Sequence, residues 1–340
     1  MPDLNTIWFL LLGVLLAGYA ILDGFDLGVG ILHLLARTDH DRRLFLNSIG
    51  PIWDGNEVWL VVFGGALFAA FPVAYATIFS GFYLAMIALL FALIFRAVSI
   101  EFRSKMQSAT WRRMWDYGFF AASLLASLIF GIAVGNSMLG IPLDARGVFI
   151  GSFRDLLQPY ALFAGLVVAA MFAMHGSIYL YLKLPDGEAR ELVKGWMWHT
   201  WGIFLVFYVL GTLYTVARVP RALANFERFP WASLVVVISV LAIANIPRSV
   251  YSGKPVQAFA SSTIAIASLV GLFGMALFPN LVTASNVAAH SLTIHSAASS
   301  PGTLFLMLMF ALVGMPFVLI YSAVVYRAFH GRVRLGDHSY

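Results

Sequence analysis

Nine runs of predominantly apolar residues follow one another along this chain, with only short charged stretches between them. Each run approaches or exceeds the roughly 20 residues a helix needs to cross a hydrocarbon core. Inside lipid every backbone N–H and C=O must find its partner within the protein, which leaves helices or a closed barrel. No stretch shows the ten-residue alternation of a barrel strand, so the expected fold is all-α and polytopic. The composition excludes a soluble domain: 61% of residues are hydrophobic, 11% are charged and the mean hydropathy is +0.87.

The predicted spans are 4–35, 51–71, 76–100, 115–139, 155–182, 196–216, 231–246, 256–278 and 303–329. No low-complexity linker or internal repeat interrupts them, so residues 1–340 read as one integral membrane domain. Lys and Arg near span ends favour the cytoplasmic side. With the N-terminus outside, sixteen of the 21 Lys and Arg fall on the inner connections and five on the outer ones. The sequence thus predicts an outer N-terminus and an inner C-terminus. Residues 1–20 lack a basic leader region and a small-residue cleavage site, so the first span is expected to remain in the mature protein. The basic residues are dispersed rather than gathered into a stripe, which argues against nucleic acid as a partner. The absence of cysteine excludes disulfides, thiolate metal sites and iron-sulfur ligation.

Four acids interrupt the first two spans: Asp23 and Asp26, then Asp54 and Glu57. A carboxylate near the bilayer centre costs about 2.5–3.5 kcal/mol on insertion scales, so such groups face a partner, a water path or the bundle interior. Each pair is three residues apart, which puts its members one turn apart on one helix face. Asp26 lies 11 residues before Arg37, or about 16 Å along a helix. Asp54 lies a similar distance beyond Arg43, so both pairs are expected at comparable depth in the inner half, on neighbouring helices. Residue types alone leave three readings open: a proton path, structural pairing or helix capping, and a cation site of carboxylates and carbonyls.

Glycine accompanies these acids. Gly24 and Gly28 in the first span, and Gly64 and Gly65 in the second, are expected at close helix contacts. They lie inside apolar helices with no preceding strand, which argues against a dinucleotide fingerprint. His33, His175 and His199 are the histidines in or at spans. They occur in no paired pattern of the kind haem ligation requires, and a hydrogen-bonded helix histidine is the simpler reading. No metal site is expected. Arg96, Glu101, Arg103 and Asp116 form a second charged group, read as ion pairs at the inner edge and as a candidate mouth for a proton path.

The stretch from Gly18 through Asp23-Gly-Phe-Asp26 to Gly30, the segment Asn47-Ser-Ile-Gly-Pro-Ile-Trp-Asp54-Gly-Asn-Glu57-Val-Trp-Leu60 and the run Gly64 to Pro72 together resemble subunit II of the cytochrome bd-type quinol oxidases. Phe79 to Tyr83, Phe95-Arg96 and Phe102 to Lys105 fit the same pattern. Beyond Met106 the resemblance rests on hydropathy. It implies a nine-helix subunit of a bacterial inner-membrane terminal oxidase, with a periplasmic N-terminus and a cytoplasmic C-terminus, in a complex that reduces dioxygen to water with quinol. It also implies a heterodimer with a haem-bearing subunit I, which would hold two b-type haems and one haem d or a third b-type haem. Membrane lipid and small accessory subunits are further expected partners. No axial haem ligand and no catalytic residue is expected in this chain. Asp54 matches the proton-path acid of that family, Asp23 and Asp26 match its companion motif, and Glu57 falls where members are expected to vary between Glu and Gln. The competing readings are a proton-coupled secondary transporter, which would favour broken helices and repeat symmetry, and a purely structural partner of the haem subunit.

Overall fold

Proline sets the start of several helices in the computed structural model, which describes residues 3–336. Residues 1–2 and 337–340 of the expected domain lie outside the described residues. The first helix, α1 (Leu4–Leu32), is capped by the Asp3 carboxylate, which accepts from the Thr6 amide. A short amphipathic helix, α2 (Asp39–Ile49), opens on a reciprocal box in which Thr38 and Asp41 each satisfy the other's backbone N–H. The chain returns through α3 (Trp53–Ala70). Pro72 then excludes helical geometry at Phe71 (φ −136°, ψ 64°) and starts a new short helix, α4 (Pro72–Gly81). A second break at Phe82 precedes α5 (Tyr83–Phe102). The single predicted span 76–100 is therefore interrupted: hydropathy is continuous across Gly81-Phe82, but the backbone leaves regular helical geometry at Phe82.

The remaining long helices are α6 (Ala109–Leu139), α7 (Pro159–Lys183) and α8 (Glu188–Arg218). A short helix, α9 (Arg221–Arg228), leads to α10 (Ser233–Tyr251), α11 (Pro255–Leu277) and, after a small antiparallel pair β1 (Asn280–Val282) and β2 (Leu292–Thr293), α12 (Pro301–Ala328). Pro159, Pro255 and Pro301 each occupy a first turn, where the missing N–H breaks no helical bond. Among the described residues, eight helices (α1, α5–α8 and α10–α12) are long and apolar enough to cross a membrane. The remaining predicted span, 51–71, corresponds to α3, 18 residues long, whose first turns carry Asp54, Asn56 and Glu57.

Helix α1 is the axis of the bundle, packed against α3, α6, α7 and α11. Its approach to α7 is close enough to exclude side chains. A Cβ on Gly28 would stand 1.9 Å from the Phe172 carbonyl oxygen, and one on Gly176 would stand 2.4 Å from the Gly28 carbonyl carbon. Gly24 abuts the Phe172 ring. Gly64 and Gly65, expected at a helix contact, instead have open space beside them on the outer side of α3. Helices α8 and α12 are largely exposed, with Leu213, Phe310, Phe317 and Tyr321 turned outward.

The connections sort into two faces. At one, the segment after α12 docks on the α7–α8 connection: the Val333 amide donates to the Lys183 carbonyl (2.8 Å), Lys183 Nζ donates to the Phe329 carbonyl (2.6 Å), and Asp186 pairs with Arg190 and Arg332. At the other, residues 141–143 join the 282–290 segment through the Ile141–Ala284 bridge and the Asn286–Leu143 hydrogen bonds.

Candidate functional site

Two polar networks lie between the helices of this apolar bundle. The deeper one begins on α1, where Asp23 and Asp26 are both fully buried. Arg96 of α5, also buried, donates from Nη1 to Asp23 Oδ1 at 2.6 Å. Its Nη2 lies 3.2 Å from Glu57 Oε2 of α3, in charge contact but outside hydrogen-bond alignment. One guanidinium thus serves two carboxylates. Asp26 is held differently. Asn56 of α3 donates from Nδ2 to Asp26 Oδ2 at 2.8 Å, and the Tyr326 hydroxyl of α12 donates to Asn56 Oδ1 at 2.7 Å. The result is a three-residue hydrogen-bonded chain from the outermost helix to the central one. Asp23 Oδ2, Asp26 Oδ1, Arg96 Nε and the Tyr19 hydroxyl are buried without a protein hydrogen-bond partner. Polar atoms so placed are characteristic sites of ordered water.

Asp54, the fourth predicted acid, is apart from this network. It occupies the first turn of α3 on the exposed face and makes no hydrogen bond or ion pair among the described residues. Asp54 and Gly55 are exposed at the start of α3, whereas Asn56 turns toward Asp26 of α1 and half-buried Glu57 reaches Arg96 of α5.

The second network caps the same end of the bundle. Asp116 of α6 is buried and accepts from three cations or donors: His33 Nε2 at 2.6 Å, Arg103 Nε at 2.5 Å and Arg42 Nη1 at 2.9 Å. Arg103 reaches on to Asp39 at 2.7 Å, which also accepts from Arg112 at 3.0 Å. These residues come from α2, α6 and the turns that follow α1 and α5. The network therefore ties the α1–α2 connection to the α5–α6 connection. The sequence grouping of Arg96 with Arg103 and Asp116 is corrected here: Arg96 lies two turns before Arg103 and is drawn into the deeper network by Asp23.

The family model described as cytochrome bd terminal oxidase subunit II matches residues 4–329. The chain belongs to that family. Cytochrome bd-I ubiquinol oxidase subunit 2 of Escherichia coli strain K12 is 37% identical over 368 aligned positions, covering 98% of this chain and 96% of the relative. Cytochrome bd ubiquinol oxidase subunit 2 of Bacillus subtilis strain 168 is 33% identical, covering 96% and 97%. In three dimensions the chain is similar to a chain of the bd oxidase from Geobacillus thermodenitrificans, with a TM-score of 0.78 at 17% identity and coverage of 96% and 98%. That likeness concerns the fold.

The bd oxidase family makes haem the group to test against this chain's histidines. His175 pairs through Nδ1 with Ser262 Oγ (2.7 Å) and through Nε2 with the Ile21 carbonyl (3.1 Å), and its ring stacks on Phe259. Neither nitrogen is left for a metal. His33 commits Nε2 to Asp116, and its ring packs edge-on against Phe119 in the α1–α6 contact. His199 directs Nδ1 at the Gly195 carbonyl on its own helix. Both ring nitrogens of His175 are thus engaged, whereas His33 keeps Nδ1 buried without a protein partner.

Sequence reasoning singled out Asp23, Asp26, Glu57 and Asp54 but missed Asn56 and Tyr326. Asn56 had a signal, since it stands four residues before Leu60 on the face of α3 that must meet α1. Tyr326 had none, because its partner is 270 residues away in sequence.

Proposed function

We propose that this chain is the haem-free subunit II of a quinol:oxygen oxidoreductase of the bacterial inner membrane, paired with a haem-bearing subunit I. It lies with its N-terminus periplasmic and its C-terminus cytoplasmic, as the distribution of Lys and Arg indicates, and it acts as one integral membrane unit. Two quinols and one dioxygen give two quinones and two waters, and the four protons added to oxygen are drawn from the cytoplasm. The chain's part is to carry protons toward subunit I and to brace the complex. The observation that carries this reading is the buried set Asp23, Asp26, Arg96 and Asn56 with half-buried Tyr326, orphaned polar atoms at its centre and Asp54 exposed at its edge.

The roles divide by partner. Asp23 and Glu57 share Arg96, whose single positive charge offsets one of the two carboxylates, and the shared contact braces α1, α3 and α5. Asp26 faces a neutral amide and can gain or lose a proton without breaking an ion pair. Asp54, unpaired on the outer face of α3, is the group free to exchange a proton with a neighbouring chain. Gly64 and Gly65 lie further along the same helix and leave that face flat for close approach. The transporter reading is not favoured, given a family match over nearly the whole chain. The bracing reading has its own support in Arg96 and applies to Asp23 and Glu57.

The test is Asp26→Asn beside Asp26→Glu in the assembled complex, with quinol-driven oxygen consumption normalised to haem content. A relay predicts a slow Asn variant and partial recovery with Glu. Wild-type turnover with Asn would leave Asp26 a bracing residue only.

A further inference from the structure

At the end of the bundle where the Asp116 network lies, a cavity of about 220 Å³ opens between the starts of α2 and α6. It is several times the roughly 30 Å³ share of one water molecule. Asp39, Arg42, Gln107, Arg112, Arg113 and Asp116 line it. The charge around it does not balance. Arg42, Arg103 and Arg112 divide two carboxylates among them, and exposed Arg113 has no ion-pair partner among the described residues. Of these guanidinium groups Arg42, Arg112 and Arg113 line the cavity, beside Asp39 and Asp116, which Arg103 also engages.

The unused donors are specific. Arg42 Nε, Arg103 Nη1 and Arg112 Nε are buried without a hydrogen-bond partner. Buried charged donors are normally satisfied, and guanidinium groups are matched in geometry to phosphate oxygens. The cavity also abuts the first turn of α6, a 31-residue helix whose N-terminal amides add to the attraction for an anion.

Its surroundings select the kind of anion. Trp111 and Trp115 pack edge to face on the same first turns of α6, against Phe102 at the end of α5, and Phe102, Met106, Met114 and Tyr117 are exposed at this end of the two helices. Paired tryptophans with an apolar flank mark the level where lipid headgroups meet acyl chains. We propose that this cavity binds the phosphate of an anionic phospholipid, with Arg42, Arg112 and Arg113 on the headgroup and the acyl chains along Phe102, Met114 and Tyr117. The lipid would pin the α1–α2 connection to the α5–α6 connection. Its assignment to the cytoplasmic leaflet follows from the proposed orientation, but its binding does not depend on that orientation or on proton conduction.

The experiment uses the purified complex, stripped of lipid and exposed to phosphatidylglycerol or phosphatidylcholine, with retained lipid counted by native mass spectrometry. Wild type should retain phosphatidylglycerol in preference to phosphatidylcholine. Arg113→Gln should weaken retention roughly fivefold, and Arg112→Gln with Arg113→Gln about 25-fold, from the usual contribution of a basic residue at a membrane surface. Lys254→Gln, exposed on the α10–α11 connection, should leave retention unchanged. If the double variant does not assemble, Arg113→Gln carries the test, because it breaks no ion pair. Equal retention of the two lipids, or unchanged retention in Arg113→Gln, overturns the proposal. Displacement of phosphatidylglycerol by millimolar inorganic phosphate would overturn the lipid source and assign the cavity to a free anion.

Discussion

Replacing Arg96 with Gln leaves Asp23 as a carboxylate at 0% exposure with its counter-charge gone. The direct contact is 2.6 Å, and Arg96 itself is 1% exposed, so neither group is open to bulk solvent. Removing one partner of such a buried pair costs about 3–5 kcal/mol, most of it the penalty of the charge left behind. Glu57 loses its contact too, but at 23% side-chain exposure it can turn to solvent and adds little. A loss of that size is roughly two to four decades in a folding or assembly equilibrium. The assay is the fraction of complex that stays monodisperse, with haem, after graded heating. Arg96→Gln should lose complex at much lower temperature, and Arg96→Gln with Asp23→Asn should recover most of the loss, because the neutral pair leaves no buried charge. If the single variant melts like wild type, or if the double variant is as damaged as the single, the ion pair is not what holds α1 to α5.

Gly28→Ala should destabilise by about 3 kcal/mol or more, since even a methyl group meets the Phe172 carbonyl on the facing backbone; yield of assembled complex measures it, and wild-type yield would contradict the contact. Tyr326→Phe removes the hydroxyl that holds Asn56 and should cost about 1 kcal/mol, with a larger fractional effect on turnover than on haem content. Asp186, outside the spans, has its pKa held below the usual carboxylate range, first by the Arg332 hydrogen bond. A depressed folded-state pKa contributes docking of the C-terminal segment that is fully present above the unfolded pKa near 4 and lost as pH falls through the lowered value. Exchange protection of the Val333 amide should follow that profile, and protection independent of pH down to strong acid would contradict it.

The helical fold was legible because lipid imposes a single rule on the backbone, and runs of apolar residues obey it visibly. The break at Phe82 was not, since both sides of it are apolar and the interruption is geometric. Asp23 and Asp26 could be found because a charge in an apolar run is costly wherever it points. Their partners were harder. Arg96 stands near a cluster of basic residues at the helix end, and only the reach of its side chain from α5 to α1 and α3 reveals which acids it meets. The three-residue spacing of Asp54 and Glu57 suggested one shared site, yet α3 is rotated so that its inner face presents Asn56 and Glu57, and its outer face Asp54. Gly64 and Gly65 mislead in the same way: small residues announce close approach, but the approaching surface need not belong to the same chain.

The proton-path claim is tested most directly at Asp54, which is exposed, unpaired and outside both ion-pair networks, so that its removal need not disturb the fold. Oxygen consumption by the complex carrying Asp54→Asn, at wild-type haem content, should fall at least roughly tenfold and recover in part with Asp54→Glu. Turnover equal to wild type in Asp54→Asn would contradict proton conduction through this residue.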